Sequence, residues 1–146
     1  MEELDPKSLL FSFVLKESIR SRKTLDNKFV KDNVNIKVDQ FILLDLIYTN
    51  EGTTQQEIAD ELQKDKTIVL RQVKTLIEEG YVVRETDLID ARKKNLMLTE
   101  SGKKLHAKAR SSSVELSQDI LKDVPYDQLE VMEILFKKIA EHTKVG

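Results

Sequence analysis

Apolar and polar positions alternate along this chain in a few distinct rhythms, and each rhythm predicts an element. From Pro6 to about Lys31 the spacing is helical, with Asp5 as N-cap and Pro6 at the first helical position. Leu9, Leu10, Phe11, Phe13, Val14 and Leu15 crowd its first half nearly all round, more than one face of a surface helix needs. "KDNVNIK" breaks that helix. "VDQFILLDLIYTNEG" predicts a second, with Phe41, Leu44, Ile47 and Tyr48 on its inner stripe and Gly52 at its end. "TTQQEIADEL" opens with Thr54 and carries Glu57 three residues later, a capping box, with Ile58, Ala59 and Leu62 inward. After the break "QKD", Asp65 caps a helix over "KTIVLRQVKTLIEEG", which stops at Gly80 in a left-handed turn.

The rhythm then shortens. "YVVR" and "NLMLT" read as paired strands, joined by the charged loop "ETDLIDARKK" of about ten residues. Thr99 caps the next helix, which Pro125 interrupts. "YDQLEVMEILFKKIAEHTK" is the last helix, with Leu129, Met132, Leu135, Phe136 and Ile139 expected to face inward. Two short helices joined by a three-residue turn, then strand, charged loop and strand, is the order of a winged helix-turn-helix. The predicted fold is mainly α with a small β-hairpin wing, as a single domain over 1–146: a winged helix-turn-helix over 36–102, flanked by helices over 1–35 and 103–146.

At about 100° per residue, Val69, Val73 and Leu76 share one side of the 66–79 helix, with Ile77 at its edge. Thr67, Arg71 and Lys74 lie opposite, flanked by Ile68 and Thr75. In a helix-turn-helix the second helix enters the DNA major groove with its N-terminal residues at base edges. Arg71 can pair bidentately with guanine, Thr67 can bond a base or phosphate, Ile68 can touch a thymine methyl, and Lys66 and Lys74 suit phosphates. On the loop, Arg92 suits the minor groove and Lys93 and Lys94 suit phosphates. A solvated face on an ordinary helix is the plainer reading.

The hairpin that follows, in the order of a winged helix, favours the first. The chain is formally −2, yet residues 64–110 hold twelve Lys/Arg against seven Asp/Glu, a net of +5, and the remainder is −7. A basic middle between acidic ends suggests an anionic partner for the middle alone, with a charge fluctuation on a solvated surface as the equal alternative. Having no cysteine, the chain has no thiolate metal site, thiol nucleophile or thiol redox sensor. Its two histidines, His106 and His142, lie far apart without carboxylates at ligand spacing, so surface positions and no metal are expected. No glycine loop for phosphates and no recognisable Ser/His/acid set is present, so neither a cofactor nor an enzyme is expected. "MEELDPKS" is acidic where a secretory leader is basic then apolar, and no apolar run approaches ~18 residues. A cytoplasmic protein, mature from Met1 and without membrane contact, is expected.

"DARKKNLMLT", Asp90 to Thr99, resembles the wing motif of the MarR family of bacterial transcription regulators: Asp, any residue, Arg, five of any kind, Leu-Thr. Asp90, Arg92, Leu98 and Thr99 fill it without gaps, and Gly102 follows where the family often has glycine. "QFILLDLI", "EIADEL", "VKTLIEEGYVVR" and "LEVMEILFKKI" are similar to the family's preceding helices, recognition segment and closing dimer helix. The resemblance implies a sequence-specific regulator of double-stranded DNA, of the repressor type. Arg92 would be its minor-groove arginine, and Asp90 a residue that holds that arginine in place. It also implies that a small ligand, often an aromatic acid, releases many members from DNA. A pocket, where present, would lie among the first helix, the second helix and the base of the recognition helix. Phe11, Leu15, Phe41 and Tyr48 are its candidates here, with ordinary core as the competing reading. Ile68 and Leu70 stand where the family often has threonines, which predicts a different operator with more thymine-methyl contact.

The apolar excess of the first and last helices predicts a second copy of the chain as their cover. A two-fold homodimer sets two recognition helices about one DNA turn, ~34 Å, apart on a palindromic operator. Arg84, Asp87, Asp90 and Arg92 are expected to form a charge network that shapes the wing. The rival is a winged helix used for protein–protein contact without specific DNA binding, which would lack salt-dependent DNA affinity.

Overall fold

The computed structural model describes residues 5–144, so 1–4 of the acidic start lie outside the described residues. Helix α1 spans Pro6–Lys31. The Asp5 carboxylate accepts the Lys7 amide at 3.2 Å, and Pro6 supplies a preset φ where no amide is needed. The helix stops where Asn33 turns left-handed at φ 56°. Its second half is tied down. Phe29 is fully buried, and Lys28 bridges Asp32 at 2.7 Å and Glu115 at 3.0 Å. Those two carboxylates raise the Lys28 pKa, Asp32 foremost. The first half is not tied: Phe11, Phe13, Leu15 and Ile19 are exposed.

Helices α2 (Val38–Thr49), α3 (Gln55–Leu62) and α4 (Lys66–Glu78) form the middle of the chain. Asp26 of α1 accepts the first amide of α2 from Val38 at 2.9 Å, so the two helices are locked at that corner. Leu43, Leu44 and Ile47 of α2 are buried, and Phe41 meets Phe29 edge-to-face at 5.7 Å. The capping box of α3 forms as expected. Thr54 Oγ1 accepts the Glu57 amide at 3.2 Å, and Glu57 Oε2 accepts the Thr54 amide at 2.8 Å. That backbone amide chiefly holds the Glu57 pKa below the usual carboxylate range. Gln63 takes the left-handed position that ends α3, and Asp65 accepts the Thr67 amide at 2.7 Å to start α4.

Strands β1 (Val82–Thr86) and β2 (Lys94–Leu98) pair antiparallel, with Val82 opposite Leu98 and Thr86 opposite Lys94. Two backbone bonds, Leu96 N–H to Thr53 O at 2.8 Å and Gly52 N–H to Leu96 O at 3.2 Å, fasten β2 to the segment before α3. The hairpin is therefore stitched to the helix-turn-helix rather than merely following it. Its connection is seven residues, 87–93, shorter than the ten expected, because β1 runs on to Thr86 and β2 begins at Lys94.

The residue that closes this unit is Thr99. Its hydroxyl donates to Gly80 O at 2.7 Å, its amide donates to Tyr81 O at 3.0 Å, and its oxygen accepts the Gly102 amide. Gly102 sits so close that a Cβ there would lie 2.0 Å from Tyr81 O. The Leu-Thr-x-x-Gly run is thus a clasp between the end of α4 and the start of α5 (Glu100–Ile120). Helix α6 spans Tyr126–Thr143 and buries no residue. The inward set expected on it behaves differently: Leu129 and Ile139 are half-buried, while Met132, Leu135 and Phe136 are exposed in the single chain. Among the described residues no helix is long and apolar enough to cross a membrane.

Candidate nucleic-acid interface

Helix α4 divides as its periodicity requires. Val69, Val73 and Leu76 have no exposed surface, whereas Lys66, Thr67, Ile68, Leu70, Arg71 and Lys74 are exposed. Burying three branched side chains on α3 and α2 fixes the rotation of the helix, so the outer set is presented on a rigid support. Thr75 is half-buried and its hydroxyl donates to Arg71 O at 3.2 Å, which places it at the margin of that face. Lys74 lies 3.8 Å from Glu78, a contact between two well-exposed groups that contributes little and leaves the ammonium able to turn to another anion.

The wing is built on one carboxylate. Asp87 Oδ1 accepts the amides of Ile89 at 2.8 Å and Asp90 at 2.9 Å, and its Oδ2 accepts the Asn95 side-chain amide at 2.8 Å. These donors, Asn95 first, lower its pKa to about 2. Asp90 repeats the device: its Oδ1 accepts the Arg92 amide at 3.0 Å, and its carbonyl takes the Lys93 amide at 2.9 Å. Lys94 Nζ donates to Thr86 Oγ1 at 2.8 Å across the strands. The charge network expected among Arg84, Asp87, Asp90 and Arg92 is replaced by these backbone bonds. Among the described residues neither Arg84 nor Arg92 is within ion-pair distance of a carboxylate. A carboxylate two or three residues from an orphan amide reaches it more cheaply than two long side chains can be held together. Asp90 acts on Arg92 through its backbone, leaving the guanidinium exposed with Lys93 and Lys94.

The four pocket candidates do not converge. Phe11 and Leu15 stand exposed on the first half of α1. Phe41 and Tyr48 are brought together by a residue expected at the surface: His106 of α5 is only 2 % exposed. Its ring stacks on Tyr48 at 4.4 Å and on Phe41 at 5.9 Å, and its Nε2 lies 2.8 Å from Asp45 Oδ1. The signal missed was Asp45 beside two aromatics on α2, a partner 61 residues away that no local spacing discloses. His142 is exposed as expected. Among the described residues no group of His, Asp and Glu is arranged to hold a metal ion.

Residues 36–94 match the model of the MarR family, and these are the residues of α2, the helix-turn-helix and the wing down to Lys94. Over that segment the chain is similar to the MarR family. Similarity to regulators of this kind extends beyond the segment. The HTH-type transcriptional regulator YybA of Bacillus subtilis is 24 % identical over 84 % of this chain and 81 % of its own. Among solved structures, MepR of S. aureus in complex with DNA is 26 % identical, with a TM-score of 0.75 over 97 % of this chain and 99 % of that one. CouR of Rhodococcus jostii RHA1, bound to p-coumaroyl-CoA, superposes at a TM-score of 0.78 with 24 % identity, covering 97 % and 96 %. The mainly helical fold with a two-stranded wing is that of the family.

Proposed function

We propose that this chain is a transcriptional regulator of the MarR type that binds double-stranded DNA sequence-specifically as a two-fold homodimer. One observation carries the reading: α4 buries Val69, Val73 and Leu76 and leaves Lys66, Thr67, Ile68, Arg71 and Lys74 exposed, next in the chain to a wing whose Arg92, Lys93 and Lys94 are exposed as well. Base readout falls to Arg71, Thr67 and Ile68, with Thr75 at the edge; phosphate contact falls to Lys66, Lys74, Lys93 and Lys94; Arg92 reads the minor groove. Asp87 and Asp90 shape the wing, and Arg84 on β1 is an exposed cation at its root. MepR, which shares this architecture at 26 % identity, is seen with DNA and supports the assignment. Relatives such as CouR, seen with p-coumaroyl-CoA, support a small aromatic or anionic ligand as the effector.

Selection of binders from a random pool of duplex DNA at near-physiological salt tests the reading. An enriched inverted repeat, with half-sites about one helical turn apart, is the expected product. A pool that returns no enriched sequence would leave the protein–protein contact module as the better account.

A further inference from the structure

The apex of the wing carries two side chains that nothing among the described residues covers. Leu88 is 102 % exposed and Ile89 is 98 %, more than any other large apolar side chain among the described residues. Isolated exposed aliphatics are ordinary, but this pair is adjacent and its backbone is pinned. Asp87 holds the Ile89 and Asp90 amides, and the Asp87 amide donates back to Lys93 O at 3.0 Å. The turn is thus braced from inside while both side chains are left outside. Arg92, Lys93 and Lys94 follow within a few residues and are exposed too.

An apolar tip with cations at its base fits one kind of partner well. The minor groove of DNA has phosphates along both rims and stacked bases between them, and aliphatic side chains can enter it and open a base step. A protein partner is a poorer fit, because a stable interface buries roughly 800 Å² per side and two side chains supply a small part of that. We propose that Leu88 and Ile89 form an apolar wedge that enters the minor groove beside Arg92 and partly unstacks a base step there. This deepens the DNA-binding reading above and rests on it. The step entered would be a pyrimidine–purine step, which unstacks most readily.

The test uses the full chain and a duplex selected from the random pool by the wild-type protein. 2-Aminopurine replaces adenine at successive outer positions of each half-site, and its fluorescence rises when it unstacks. Wild type is expected to raise fluorescence at one position per half-site. The double variant Leu88→Ser, Ile89→Ser is expected to abolish that rise and to weaken binding at least about tenfold, with an unchanged salt dependence because no phosphate contact is lost. Leu88→Met with Ile89→Met should restore both. The wedge is overturned if wild type produces no rise at any position, or if the serine variant binds within about twofold of wild type. A weakened serine variant with a shallower salt dependence would also overturn it, since the tip would then be placing phosphate contacts. Wild type that bound no duplex would instead sink the DNA reading itself, and the wedge with it. Circular dichroism of the variants checks the fold, which fully exposed side chains should not alter.

Discussion

At the scale of single residues, the wing depends on Asp87. Three donors converge on its carboxylate, and its pKa is lowered from 3.8 to about 2. A carboxylate whose folded value lies below its unfolded one stabilises the folded form fully above about pH 4. That contribution fades as the pH falls through the folded value of about 2. The amides of Ile89 and Asp90 are therefore expected to exchange slowly at neutral pH and to lose protection between about pH 4 and 2. Asp87→Ala should remove the protection at neutral pH while leaving α4 unchanged. Amide exchange by NMR reads both, and equal exchange rates in the two proteins would show that the turn holds without the carboxylate. How far such residues are legible in sequence depends on the reach of their partners. Asp65, Thr54 with Glu57, and Gly80 act within a few positions, and their spacing alone predicted their roles. His106 acts across 61 positions, and the sequence placed it wrongly at the surface. Asp87 and Asp90 lie between these cases. Their place in the wing was legible, but the choice of backbone amides over arginines as partners was not, because it turns on the shape of a loop.

Among the elements, α4 and the wing make different demands of the DNA, and substitutions should separate them. Arg71 stands on a helix whose rotation is fixed by three buried side chains, so it is aimed at one place. Arg71→Ala is expected to cost ~1–3 kcal/mol at the base it reads and to relax preference there. Arg92 is carried by a loop braced through its own amide, and no carboxylate among the described residues competes for its guanidinium. Arg92→Ala is expected to weaken binding at least about tenfold and to spare major-groove preference. Titrating each variant against the selected duplex and single-base changes of it distinguishes them. A uniform loss across all sequences for Arg71→Ala would make it a phosphate contact. The two elements were also legible to different degrees. The α4 face follows from a 3.6-residue period in sequence. The stitching of β2 to Gly52 and Thr53, which sets how the wing is hung, uses backbone groups and leaves no trace in residue type.

For the whole molecule, the unsolved quantity is the apolar surface at both ends of the chain. Phe11, Phe13, Leu15 and Ile19 of α1 and Val131, Ile134 and Phe136 of α6 are each exposed by half or more, while the core around Phe29, Leu43 and Leu76 is closed without them. Monomers rarely leave contiguous apolar patches larger than a few hundred Å² in water. A second copy supplies matching helices, and two-fold pairing is the commonest way to close such a surface. Val131 and Ile134 stand one helical turn apart on α6 and are well exposed in the subunit. Glutamate at both positions should therefore cost the isolated subunit little. In a dimer it would bury two charges per subunit, which is expensive without partners. Val131→Glu with Ile134→Glu is expected to sediment as a monomer at micromolar concentration, with its helical circular dichroism retained. It should bind the inverted repeat at least about a hundredfold more weakly, with a salt slope near half that of wild type, because one subunit neutralises half the phosphates. Sedimentation as an unchanged dimer would move the interface off α6. A monomer that kept full affinity and slope would show that a single winged helix suffices, and the two-fold arrangement would then have no part in operator recognition.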